Sequence, residues 1–143
     1  MATPKWYANG LLNVMNGAVD LDAATIKLML VTSSYTPAQG THDFRDDLGA
    51  NEASGGTGYP AGGFTLASVA LSVSSLTVNW DAADISQAIT GGPLAFRYGV
   101  YYKARGGAAS ADELIGYVDF GAQSVTDATL NITQTNQLTV TAS

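Results

Sequence analysis

Short apolar segments, separated by clusters of glycine, serine, aspartate and proline, constrain the fold of this chain more than any other feature of its sequence. Segments 64–73 and 94–103 alternate apolar and polar residues, and 25–32 is an apolar run with one lysine. Alternation is typical of strands with one buried face, and a continuous run is typical of a strand buried on both faces or lying against a helix. About seven such segments occur, at 25–32, 64–73, 76–80, 94–103, 114–120, 128–133 and 137–140. We therefore expect an all-β protein, an antiparallel β-sandwich that is jelly-roll-like.

Helical spacing of apolar residues is confined to the N-terminal part, at 4–19. Pro4 suits a first helical turn and Gly17 suits a C-cap, so the sequence predicts one short helix there. We expect a single β-sandwich domain over 1–143, with an N-terminal helical segment at 1–20 and a long ordered loop at 33–63.

Alternation also predicts which side chains face the core. In 94–103 it places Tyr101 on a polar face between Arg97 and Lys103, opposite an apolar face. That apolar face carries Phe96, Tyr98, Val100 and Tyr102, and the inward residues of 76–80 are Leu76, Val78 and Trp80. A turn is expected at Ser74 and Ser75, and an exposed tip at the Gly-Gly of 103–114.

Charge and composition narrow the classes of function. The net charge is −6, and the six lysines and arginines are scattered singly, so we expect no nucleic-acid partner. No apolar run approaches the roughly 18 residues of a membrane helix, and no signal peptide is visible, so no membrane is expected. Charged residues make up only 13% of the chain, which suits a protein that packs against neighbours over much of its surface.

The segment 41–63 holds the only histidine, His42, among carboxylates and glycines. His42 and Asp46 at helical spacing could bind a divalent cation, but zinc sites usually add further His or Cys ligands, and the chain has no cysteine. The alternative is a loop in which Thr41 caps a short turn, Phe44 and Leu48 are buried and His42 faces water. We favour that loop, with glycines at positive φ or close to a backbone. We expect no metal, no cofactor, no catalytic residues and no enzyme.

Four phrases together resemble a group of small all-β structural proteins of tailed bacteriophage virions: "IKLMLVTSSYTPAQGTHDFRDDL", "GTGYPAGGFTL", "RYGVYYKA" and "LIGYVDFG". The resemblance covers about residues 12–140. It implies a virion protein made in the host cytoplasm, and no catalytic or ligand residues. We expect a capsid decoration (cement) protein on the capsid surface, a homotrimer whose partners are the major capsid protein and copies of itself.

Composition and loop length suggest contact elements for that role, the N-terminal segment and the long loop. The candidate partner contacts are Trp6, Tyr7, Tyr35, Tyr59 and Tyr101. One alternative is a tail, neck or head-fibre component of the virion. Another is a carbohydrate-binding module for host-surface adhesion, with Tyr101 in its sugar-stacking face. A small hydrolase depending on His42 is a distant third.

Overall fold

A computed structural model of the chain describes residues 3–134 and 137–142. Within these residues the chain is an antiparallel β-sandwich with one short helix near the N-terminus, as the sequence predicts. The helix α1 spans Ala8–Met15. The strands are β1 Lys5–Trp6, β2 Ile26–Val31, β3 Phe64–Thr65, β4 Ala70–Ser74, β5 Thr77–Asp81, β6 Ile85–Ile89, β7 Leu94–Lys103, β8 Leu114–Val125, β9 Ala128–Ile132 and β10 Leu138–Thr141. Two single 3-10 turns, Arg45–Leu48 and Ala109–Ala111, lie in loops.

Three antiparallel sheets make the two layers. The large sheet has the order β1-β8-β7-β2-β3; the smaller sheets have the orders β10-β5-β4 and β6-β9. The main core contains Leu28 and Ile115 of the large sheet, Trp80 and Leu138 of the three-stranded sheet, and Leu130 of the two-stranded sheet. The two small sheets therefore pack together against one face of the large sheet.

The other face of the large sheet is also covered. Met29 of β2 and Val100 of β7 form a second buried cluster with Tyr7, Tyr35 and Leu48 from the N-terminal segment and the long loop. This double burial explains why β2 is an almost unbroken apolar run.

The helix is shorter than predicted at both ends. Lys5 and Trp6 pair with Tyr117 and Gly116 of β8 as a strand, so Pro4 does not begin the helix. Gly17 has a φ of +81° immediately after the C-cap residue Asn16, which confirms its predicted role at the helix end.

Some of the predicted strand boundaries agree with the structure and others do not. Strand β7 has the predicted bounds, and the turn after Ser74 is confirmed by a φ of +53° at Ser75. The predicted strand 64–73 is two strands, β3 and β4. Strand β3 pairs with β2 and ends at Thr65, the chain then turns at Ser68 (φ +54°), and β4 pairs with β5. Strand β6 was not predicted, since its sequence ISQAI carries polar residues among the apolar ones.

Candidate contact surface

The three-stranded sheet extends past the core and leaves apolar side chains in solvent. Leu71, Trp80 and Leu138 are cross-strand neighbours, and Trp80 and Leu138 of this row are buried. The next row on the same face consists of Val73, Val78 and Val140. These three are 73%, 41% and 40% exposed, and Leu76 at the turn is 65% exposed. We call Leu71, Val73, Leu76, Val78 and Val140 the apolar sheet end.

The apolar sheet end is also uncharged. Segments 70–80 and 137–142 contain no aspartate, glutamate, lysine or arginine. Contiguous exposed apolar surface without charge is a feature of contact sites on soluble proteins. This surface is the strongest candidate contact site among the described residues.

The sequence did not reveal this surface. Alternation predicted Leu76 and Val78 as core residues, which is wrong because, among residues 3–134 and 137–142, no second layer covers the end of the sheet where they lie. Periodicity reports which face of a strand is apolar, but it does not report whether another sheet reaches that face. We find no local sequence signal that could have separated Val78 from Trp80.

The five predicted contact residues are not brought together. Trp6 is half-buried and its indole Nε1 donates to the Thr139 carbonyl at 3.0 Å, which places it beside β10. Tyr59 is half-buried and its hydroxyl donates to Glu52 Oε1 at 3.1 Å. Tyr7, Tyr35 and Tyr101 are buried, so the prediction that they contact a partner at the surface is wrong for this structure.

Tyr7 and Tyr35 are part of a hydrogen-bonded chain that ends at His42. The two hydroxyls lie 2.7 Å apart, and the Tyr35 hydroxyl lies 2.7 Å from His42 Nδ1. The Ala38 backbone N–H also donates to Nδ1, at 3.4 Å. Because Nδ1 thus accepts, Tyr35 donates to it and Tyr7 donates to Tyr35. Burial raises the pKa of Tyr7, and it raises the pKa of Tyr35 to about 12, so both hydroxyls stay protonated as donors.

These hydrogen bonds show which environment His42 occupies. The sequence predicts that His42 faces water, but it is half-buried, and its ring lies against the rings of Tyr7 and Tyr35 of the second cluster. The expected Thr41 cap is also wrong: Phe44 is the N-cap residue, and the Asp47 carboxylate accepts the Asp43 N–H at 2.8 Å. Burial acts to raise the pKa of Asp47, but the backbone N–H bonds outweigh it and hold that pKa below its usual range.

Metal ligands are not clustered around His42. Across residues 3–134 and 137–142, no group of three or more His, Asp or Glu side chains is placed to hold a metal ion. The hypothesis of a His42–Asp46 cation site therefore has no third ligand in the described part of the chain.

Tyr101 lies in the main core instead of on a polar face. Its ring packs edge-to-face on Trp80, and its hydroxyl lies 2.9 Å from the Gln134 side-chain oxygen and 2.7 Å from that of Gln137. One hydroxyl proton serves only one oxygen. The consistent arrangement has Tyr101 donating to Gln137, with the Gln134 amide turned so that its nitrogen donates to the hydroxyl oxygen. A sugar-stacking role for Tyr101 is excluded by this burial.

The glycines of segment 41–63 have positive φ, as expected. Gly58 has a φ of +121°, and a side chain there would collide with the Ala88 carbonyl. The loop bends over a cavity of about 320 Å³ beside Glu52 and Tyr59. Glu52 Oε1 accepts the Gly62 N–H at 2.6 Å, so this carboxylate holds the loop in shape.

Comparisons with protein-family models, with curated proteins and with solved structures gave no match. In the part of the chain that the structure describes, no helix has the length and hydropathy needed to cross a membrane.

Proposed function

We propose that this chain is a structural protein of a tailed-bacteriophage virion, and specifically a capsid decoration protein that binds the outside of the shell. The observation that carries the binding role is the apolar sheet end, a chargeless face of five exposed hydrophobic side chains in line with the core. The virion setting is supported by the resemblance of the phrases in 12–140. The proposed partners are the major capsid protein and further copies of the chain, as trimers at threefold positions.

A decoration protein acts through linkage. A protein that binds the assembled shell but not the free subunits stabilises the shell by RT ln(1 + [L]/Kd), about 2.7 kcal/mol per site at a hundredfold excess over Kd. Burying the apolar sheet end against a capsid subunit supplies such binding without desolvating a charge, because segments 70–80 and 137–142, which form it, carry none.

The test is co-sedimentation with shells assembled from the major capsid protein of the same particle. The variant Val140→Lys places a charge on the apolar sheet end, and Thr139→Lys is its matched control on the opposite face of the same strand. We expect the natural chain and Thr139→Lys to bind and to raise the melting temperature of the shell, and Val140→Lys to do neither. Equal binding by both variants would refute the role of this face, and no binding by the natural chain would refute the decoration role.

A further inference from the structure

Strand β4 is an edge strand whose outer side has no partner within the described residues. It is last in the order β10-β5-β4, and all of its residues, Ala70–Ser74, are exposed. Within 3–134 and 137–142, no backbone hydrogen bond reaches β4 from outside its own sheet.

The outward backbone groups of β4 can be identified. The carbonyls of Leu76 and Trp80 point toward β10, where they accept the N–H groups of Ala142 at 2.7 Å and Gln137 at 2.8 Å. Directions alternate along a strand, so Thr77, Asn79 and Asp81 point toward β4, where they pair with Ser74, Ser72 and Ala70. The N–H and C=O groups of Leu71 and Val73 therefore point away from the sheet.

This edge has none of the usual protections. Natural edge strands are guarded by charged side chains, proline or a bulge. Residues 70–74 contain no charge and no proline, and β4 pairs with β5 without a register shift. The net charge of −6 makes two copies repel elsewhere, whereas the uncharged edge lets them approach.

We propose that two copies of this chain pair through their β4 strands, antiparallel, about a two-fold axis at Ser72. Leu71 of each copy then faces Val73 of the other, and the outward groups of both residues form four hydrogen bonds between the copies. On the apolar face Leu71 packs beside the partner copy's Val73, and on the other face the two small Ser72 side chains meet. The result is a continuous six-stranded sheet. This pairing goes beyond the proposed function and does not depend on it, since it concerns two free copies in solution, whereas the proposed trimers form at threefold positions of the assembled shell.

Single-cysteine variants test the register, because the natural chain has no cysteine. In the proposed pairing the two Ser72 residues are a non-hydrogen-bonded pair with Cα atoms about 4.5 Å apart, within reach of a disulfide. The matched control is Ser74→Cys, whose two copies are offset by four residues, about 13 Å along the strands. Diamide, which accepts the two electrons and two protons of a thiol pair, is the oxidant. We expect Ser72→Cys to form a covalent dimer rapidly and Ser74→Cys to remain monomeric on a non-reducing gel.

Sedimentation of the natural chain tests the pairing without an introduced cysteine. We expect a reversible dimer that Val73→Pro abolishes, since proline removes an outward N–H and leaves the bonds to β5 intact. Val73→Thr keeps the backbone donor and is expected to remain dimeric. A monomeric natural chain, a trimer that does not cross-link at position 72, equal cross-linking at 72 and 74, or a dimer that survives Val73→Pro in a folded variant would each overturn the proposal.

Discussion

Gly10 lies in the middle of α1, where alanine normally stabilises a helix by about 1 kcal/mol. Here the helix sits directly on the backbone of β8. A Cβ on Gly10 would lie 2.7 Å from the Leu114 carbonyl oxygen and closer still to that of Ile115. Real Cβ atoms essentially never come within 3.0 Å of another heavy atom. The helix would therefore have to withdraw from β8.

The size of the effect follows from the atoms that collide. They belong to a strand held between β1 and β7, so they cannot move as the end of a flexible side chain could. Overpacking against such a neighbour costs about 3 kcal/mol, at the upper end of its usual range. After subtracting the propensity gain, we expect Gly10→Ala to lower the free energy of unfolding by about 2 kcal/mol and the melting temperature by about 6 °C.

Urea and thermal unfolding, followed by circular dichroism, measure this change. The matched control is Gly40→Ala, because a Cβ at Gly40 meets nothing within 4 Å and its φ is not positive. We expect that control to be unchanged or slightly stabilised. A Gly10→Ala variant as stable as the natural chain would show that α1 does not approach β8 this closely.

Three further predictions concern the interior and the loops. Tyr101→Phe leaves the buried Gln137 oxygen without its donor, and we expect a loss of about 1–3 kcal/mol in urea unfolding. Burial acts to raise the pKa of Glu113, but the hydrogen bonds from Arg105 outweigh it and hold that pKa below its usual 4.5. The contribution of the ionised Glu113 to the free energy of unfolding is therefore complete above pH 4.5 and is lost as the pH falls below it. We expect Glu113→Gln to make the urea midpoint less dependent on pH between about pH 5 and pH 3. Gly63 has a φ of +93° and a Cβ there would lie 2.6 Å from a carbonyl carbon of β2, so Gly63→Ala should lower the melting temperature, in contrast to Gly40→Ala.

Segments with a strong periodic pattern were predicted well. Strand β2 carries its burial in its own sequence, because nearly every residue of it is apolar. The alternation in β7 predicted the bounds of that strand, but not which of its side chains share a face, because a register shift between Phe96 and Tyr98 places Phe96 in the main core and Tyr98 in the second cluster. The short strands β1 and β6 carry little of that signal. They are strands because β8 and β9 offer free edges, which is a tertiary cause.

The errors about single side chains have the same origin. Tyr101 lies between Arg97 and Lys103 in sequence, and this suggested a solvent face. The large sheet is covered on both sides, so Tyr101 is buried, while Arg97 stays half-buried in a 2.9 Å ion pair with Asp119. The prediction for Val78 is wrong in the opposite direction: this residue was expected in the core but is exposed, because the layer that covers Trp80 ends before Val78. The reach of a second layer is set by the packing of whole sheets and is not written in one strand.

The most direct test of the central claim is the amount of this protein in purified virions from cells that carry its gene, measured against the major capsid protein by quantitative mass spectrometry. The proposed decoration role predicts a fixed copy number comparable with that of the major capsid protein. A copy number that fits only a tail, neck or fibre would contradict the decoration role, and absence from the particles would contradict a structural role in the virion.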